Sequence, residues 1–535
     1  MNSKRNFLVL SRGRGSETPL NQQVTGSTMP KRKQPKTLAD LALLRVVKMI
    51  RCACESWITA LRQAASAGIM AYVTERENVT ADCDTVHELL TSLLTGISVH
   101  QATLILKETI AVITNSYDSC NDLNLAPWNQ NEMHNSVCVK ILRTVLLSNT
   151  TEYEMKHIYS SFTQRLIIQT LDCVPELTIL AFDSKTETDN SALMSTNIHH
   201  LKNLQHFQYE YHCTDDVVEE LGLHCTELKT INLKYSRAVT DTSVQHLMKL
   251  KKLEYVHLLY TNISYQLYGS LLSELPNISN IAMMSETCDV LDHISKEKLN
   301  TIKQYVGLIH NIDNMTQKCP NLTTVKVYAF NQNLTKFIAL TRLVNLQIMV
   351  GNSENCNLTE VLVGMGTRLS SLSLFYIRNV NISNIVMMCS ALKSLVLEAC
   401  TFVLLNENSE IDTELPHYRN LTEFKLVGDS FYQSDVRKLR HYVNLQVFEC
   451  KRLDILTDDF IRDATRQGAF RNILRFWVEE TGRGALTMST VELLLQHCEH
   501  LREIGLLRNW RRVTPCQRSS LIERMRTTNV DLHIH

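Results

Sequence analysis

Along most of the chain the apolar residues fall into one recurring phrase, apolar-x-x-apolar-x-x-apolar-x-apolar, followed by a polar turn and a short apolar stretch. Clear copies are Val174, Leu177, Leu180 and Phe182; Cys225, Leu228, Ile231 and Leu233; Cys319, Leu322, Val325 and Val327; and Cys389, Leu392, Leu395 and Leu397. Successive copies lie about 20–28 residues apart, a period that marks stacked structural repeats. The last two apolar residues of each phrase are two apart, the spacing of a strand with one buried face, so the residues between them point outward. Leu299, Ile302 and Tyr305 make a poor copy, so the regularity of residues 275–320 is left open. In another copy Gly366 holds the anchor ahead of Leu369, Leu372 and Leu374, and Leu532 and Ile534 would close the series as an edge strand.

The pattern before the repeats is different. Residues 1–35 are polar, basic and aperiodic, and read as a disordered tail. Within it Pro30-Lys31-Arg32-Lys33 resembles a short nuclear-import cluster, with a solvated basic run as the simpler reading. Residues 36–149 read as a helical unit, with Leu38, Leu41, Val46 and Ile50, and then Leu89, Leu90, Leu93 and Leu94, at helical spacing. Asp84 and Ser98 read as helix starts, and residues 78–80 and 121–131 as loops. Residues 150–535 carry the repeats.

Many phrases in phase resemble the leucine-rich repeat family. Cys225 followed by Val239-Thr240-Asp241 points to its cysteine-containing subtype. The resemblance implies an α/β solenoid, a curved parallel sheet with helices on its convex side, capped by the N-terminal helices. The Asn or Cys that usually follows the strand is mostly absent here, which leaves the turns unexplained. On the concave face the outward residues would include Thr230, Asn232, Lys234, Tyr255, His257, Lys326, Tyr328, Phe375, Arg475 and Trp477. Aromatics among mixed charges suit a protein partner, because Tyr, Trp and Arg are the usual anchors of such interfaces.

Composition narrows the function classes. Lys plus Arg and Asp plus Glu number 55 each, which argues against duplex nucleic acid as a partner. Glycine numbers only 16, which weakens a phosphate-cradling loop. The 16 cysteines are scattered rather than packed into a short scaffold, and Cys225, Cys319, Cys389 and Cys498 share one repeat position. They read as small buried side chains in a reducing compartment. Cys52-x-Cys54 lacks a second pair, and His497-Cys498-Glu499-His500 has its cysteine at a core position, so no metal is expected. No nucleophile elbow, Walker loop or H-E-x-x-H motif occurs, so no cofactor or catalytic set is expected. The first residues form no secretory leader and no apolar run approaches a membrane span, so the expected setting is the cytoplasm, with the nucleus as a second site.

One helix suggests a second partner. Thr37-Leu38-Ala39-Asp40-Leu41-Ala42-Leu43-Leu44-Arg45-Val46 fits T-L-x-x-x-A-x-x-x-V, with Leu38, Ala42 and Val46 on one helical face. It resembles the BC-box helix by which VHL-box and SOCS-box receptors bind elongin C, although that family usually has Cys where Ala42 stands. The resemblance implies Leu38, Ala42 and Val46 as adaptor contacts. An F-box docking a Skp-type adaptor is the other arrangement fused to such repeats; Trp57 would suit it, but its Leu-Pro start is missing. An ordinary amphipathic cap helix is the third. The expected function is a non-enzymatic substrate receptor of a cullin-RING ubiquitin ligase, with an interaction scaffold lacking any ligase link as the alternative.

Overall fold

A computed structural model describes residues 38–93, 99–121, 132–147, 150–155, 160–283, 290–309, 311–403, 420–428, 443–451, 456–480 and 485–535. The basic tail, including residues 30–33, lies outside them.

Four helices come first: α1 (Leu38–Ala67), α2 (Ile69–Leu93), α3 (Val99–Asn121) and α4 (Glu132–Thr144). α1 packs on α2 and α3, and α2 on α4, around buried Cys54, Ile58, Leu61, Ile105 and Ile141. Two expectations fail here. Residues 78–80 do not break the helix, and Asp84 does not start one; both lie inside α2. Tyr72, Val79, Cys83 and Leu90 are buried at helical spacing, so tertiary burial overrides the weak local propensity of Asn78-Val79-Thr80. The Thr80 hydroxyl donates to the Arg76 carbonyl (2.7 Å), as a mid-helix threonine can. Ser98 and residues 122–131 lie outside the described residues.

After the helices the chain is a leucine-rich repeat solenoid. Its strands are β1 (Glu152–Met155), β2 (Ile179–Phe182), β3 (His206–Tyr209), β4 (Thr230–Asn232), β5 (Tyr255–His257), β6 (Asn280–Met283), β7 (Gln304–Leu308), β8 (Thr324–Tyr328), β9 (Asn345–Asn352), β10 (Ser371–Arg378), β11 (Ser394–Glu398), β12 (Glu423–Val427), β13 (Val447–Lys451), β14 (Arg475–Glu479), β15 (Glu503–Gly505) and β16 (His533–Ile534). Every pairing is parallel and joins strands consecutive in the chain, with the core residues in register: Leu346 beside Leu372, Leu372 beside Leu395, Leu395 beside Phe424 and Phe424 beside Phe448. Short helices and 3-10 turns return the chain behind the strands. Gly222, in the helix Asp215–His224, permits one close contact there; a Cβ would lie 2.7 Å from the His246 carbonyl oxygen of the next unit.

The poor copy is a full strand. β7 keeps Tyr305 in the core, its hydroxyl donating to the Leu308 carbonyl (2.5 Å), while Gly307 at φ 136° takes the second core position. The turns lacking Asn are served by other polar groups. Ser236 accepts from the Cys213 N–H (3.2 Å) and donates to the Tyr209 carbonyl (3.3 Å). Buried Glu480 accepts from the Leu486 N–H (2.9 Å).

Among the described residues the ladder breaks once. β1–β5 form one sheet and β6–β16 another. Across the break the Asn280 side chain donates to the Val256 carbonyl (3.0 Å), and the Ala282 N–H donates to the hydroxyl of buried Tyr268 (3.2 Å). Side chains thus satisfy groups that a continuous ladder would pair backbone to backbone. The helix Pro515–Thr527, opened by a Thr514–Gln517 capping box, leads into β16. Buried Trp510 donates its indole N–H to the Val478 carbonyl (2.8 Å) nearby.

Candidate functional site

The sheet face is built by strict alternation. Along β8, β11, β12, β13 and β14 every second residue is buried, and those between are half-buried. All ten residues read from the sequence as outward occupy the half-buried positions. Nine of them are shared among β4, β5, β8, β10 and β14 and the tenth, Lys234, stands two residues past the end of β4, so they line one face without converging on a point.

Their neighbours decide what each can offer. Thr230 pairs its hydroxyl with His206 Nδ1 (2.8 Å). Asn232 donates to Glu210 Oε1 (2.8 Å), which also accepts from Gln208 (2.7 Å). Lys234 Nζ stands 4.6 Å from the Tyr235 ring centroid. Tyr255 meets His257 edge-on at 6.1 Å. Burial, helped by Lys234, pulls the His257 imidazole down to about 4, so it is neutral at physiological pH. Its Nε2 is buried without a partner among the described residues. Tyr328 stacks on Phe330 at 6.0 Å. Phe375 is in register with Met349 and Glu398. Arg475 binds Glu503 (2.7 Å) and lies 5.4 Å from the Trp477 ring, whose other neighbour is His535 at 5.3 Å.

The C-terminal strands neutralise their own charge. Lys425 pairs with Glu423 (3.0 Å) and Lys451 with Glu449 (3.2 Å). Glu423 also accepts from the Ser394 hydroxyl (2.7 Å); burial raises its carboxyl, and the bonds from Ser394 and Lys425 outweigh that and hold it below its ordinary range.

A row of aromatics stands just past the strands, where the sequence reading had not looked. Tyr211, Tyr235, Tyr260 and Tyr376 each follow the second core residue of their unit by two positions, and each has a left-handed backbone (φ 73°, 64°, 61° and 56°). The first three form a continuous stack, at 4.9 Å between Tyr211 and Tyr235 and 5.0 Å between Tyr235 and Tyr260. The spacing is that of neighbouring strands, so the rings inherit the repeat of the sheet. Phe330, also left-handed, and Tyr376 are exposed. The available signal was an aromatic recurring at one repeat position outside x-L-x-L-x.

The other candidates resolve simply. Cys225, Cys389 and Cys498 are buried, which pushes each thiol up to about 12 and leaves it unreactive. Among the described residues no group of three or more His, Cys, Asp or Glu is placed to hold a metal ion, and no helix is long and apolar enough to cross a membrane. Of the adaptor residues, Leu38 opens α1 with its side chain outside the described set. Ala42 is exposed, and Val46 is half-buried against the helical core. Trp57 is buried, donating its indole N–H to Asp82 (3.1 Å).

No protein-family model matches the chain, and no curated protein sequence matches it. Solved structures do. An internalin from Listeria monocytogenes is 13% identical over 69% of this chain and 88% of its own, with a TM-score of 0.32. The Rad7 and Elc1 complex from yeast is 11% identical over 90% of this chain and 96% of that one, with a TM-score of 0.37. A leucine-rich repeat protein from Bacteroides thetaiotaomicron is 13% identical over 69% of this chain and 50% of its own, with a TM-score of 0.30.

Proposed function

We propose that the chain is a non-enzymatic receptor that binds a protein on its sheet face and links it, through α1, to a cullin-RING ubiquitin ligase of the cytoplasm or nucleus. The observation that carries the reading is the surface of α1. One side of this helix is buried through Val47, Ile50, Cys54 and Leu61, while Leu41, Leu44 and Met49 stay exposed on the other. Uncovered apolar residues on an otherwise ordinary amphipathic helix suit a partner helix or groove. They flank Ala42, the small residue of the BC-box-like pattern. The mechanism is proximity: a protein held beside a ubiquitin-loaded enzyme reacts at a raised effective concentration, with no chemistry on this chain.

Val46 favours the plainer reading, a scaffold with no ligase link, because part of its side chain already belongs to the helical core. Affinity purification of the tagged full chain from cells separates the two. Elongin C and a cullin are expected to co-purify, and Leu38→Asp and Leu41→Asp to remove both while thermal unfolding stays unchanged. Recovery of a Skp-type adaptor instead would move the docking to the F-box reading. Recovery of no cullin component would leave the scaffold.

A further inference from the structure

We propose that the middle of the sheet face, from β4 to β10 with its aromatic lip, recognises an acidic extended segment of the partner protein; this rests on the reading that the face binds protein, and not on the ligase link.

The charge pattern comes first. From β4 to β10 no outward strand position is acidic, whereas β11 to β15 carry Glu398, Glu423, Glu449, Glu479 and Glu503. Three of these later acids are paired: Glu423 with Lys425 and Glu449 with Lys451 within their own strands, and Glu503 with Arg475 on the strand before it. The cations of the middle region are not spent in this way. Lys234, Arg237 and Lys326 form no ion pair among the described residues. Glu210 is within electrostatic reach of Lys234, yet its Oε1 is taken by Gln208 and Asn232. His257 adds no charge at neutral pH, because burial, with nearby Lys234 as the smaller cause, holds its proton affinity down.

The aromatic lip reinforces the sign. Tyr211, Tyr235 and Tyr260 stack face to face, so the faces between them are covered and the row presents mainly edges and hydroxyls along its length. Ring edges are the positive part of the aromatic quadrupole, and hydroxyls can donate. Tyr260 is also within electrostatic reach of Tyr328, which lies beyond the break between the sheets. Beneath it a cleft lined by Arg237, Tyr260, Asn262 and Tyr265 opens at the break itself. The left-handed turn belongs to the repeat position, since Val350 and Ala399 take it too, and it aims the four tyrosines from equivalent places along the face.

These features fit carboxylates on an extended chain better than a nucleic acid strand. Bases bind by stacking on exposed ring faces, and here four of the six faces of the three-ring stack are taken by its own rings. The cations are few, Lys234 and Arg237 in the turn after β4 and Lys326 on β8, as suits single carboxylates rather than a continuous phosphate backbone.

The test pans a displayed random-peptide library against the purified full chain and remeasures recovered peptides by fluorescence anisotropy, beside a single-stranded oligouridine. Acidic peptides are expected, weakening with added salt and by about tenfold or more on Lys234→Glu, Arg237→Glu and Lys326→Glu combined. The corresponding Lys→Arg variants should retain binding, and unchanged thermal unfolding shows that the fold is intact. Neutral or basic peptides that need Tyr260 would overturn the acidic proposal and leave the protein-binding reading standing. A library yielding no peptide dependent on this face would sink both. Oligouridine binding tighter than every peptide would overturn it in favour of a single strand.

Discussion

The Trp477 ring lies over Gly505, its register partner on the next strand, so closely that a Cβ on residue 505 would fall 2.6–2.7 Å from the indole. Arg475 and His535 flank the ring, and its N–H is buried without a partner among the described residues. Trp477 therefore fills the face between strands as much as it offers a surface. Gly505→Ala should destabilise the C-terminal end by about 1–3 kcal/mol, the usual cost of overpacking. Chemical unfolding followed by tryptophan fluorescence would show it. Trp477→Ala should lower the unfolding midpoint as well; an unchanged midpoint would restore Trp477 to the role of exposed anchor.

Asp458 shows how successive units are stitched together. Its carboxylate takes the Thr487 N–H (2.9 Å) and hydroxyl (2.6 Å) and the Thr490 hydroxyl (2.5 Å), and Asp215 does the same for Thr240 and Ser243. Burial pushes the Asp458 carboxyl up, but the bonds from Thr487 and Thr490 outweigh it and leave the group below its ordinary range. A carboxyl lowered in the folded state binds fewer protons there than in the unfolded chain. Its stabilisation is complete above the unfolded value, about 3.9, and is lost as pH falls through the folded value. Asp458→Ala should cost about 1.5–3 kcal/mol at neutral pH, the range for hydrogen bonds to a charged group. The difference from the parent chain should shrink in acid, which a series of unfolding curves at falling pH would read.

His257 titrates in a different window. Its folded value, about 4, lies below the ordinary histidine value of 6.5, so the folded state holds the ring neutral. The stabilisation is complete above the unfolded value and is lost as pH falls through the interval between them. His257→Gln should flatten the pH dependence of stability in that interval while leaving it unchanged in the alkaline range. A parallel slope in both chains would show that the ring is solvated and titrates normally.

These residues also show what the sequence could reveal. Period-2 pairs such as Leu395 and Leu397 made nearly every strand legible, because strand and core obey the same two-residue rule. Tyr305 with Gly307 escaped it because a large ring and a backbone turn jointly replace two leucines. Val79 escaped for the opposite reason: local propensity argued for a loop, and packing against other helices decided the matter. The break after His257 rests on Asn280 and Tyr268, whose bonds to Val256 and Ala282 have no periodic signature. The stacked tyrosines were invisible as a group because their contact runs between repeats and their turn lies outside the strand motif.

Tyr376 gives the most direct test of whether the lip is kept for binding. Its ring is 60% exposed and its φ is 56°, in the left-handed region where a bulky side chain is strained. A left-handed non-glycine residue costs about 1–2 kcal/mol. Glycine would relieve that strain, offset by about 0.5–1 kcal/mol for the extra freedom it gives the unfolded chain. Tyr376→Gly is therefore expected to stabilise the protein slightly, by about 0.5–1 kcal/mol. The same change should weaken the partner segment, since it removes an exposed aromatic from the face. Denaturant unfolding and peptide anisotropy on one preparation read both effects. Stability gained with binding lost would mark a residue held in strain for recognition. Stability lost would mean that the Tyr376 ring packs against the sheet and supports the fold.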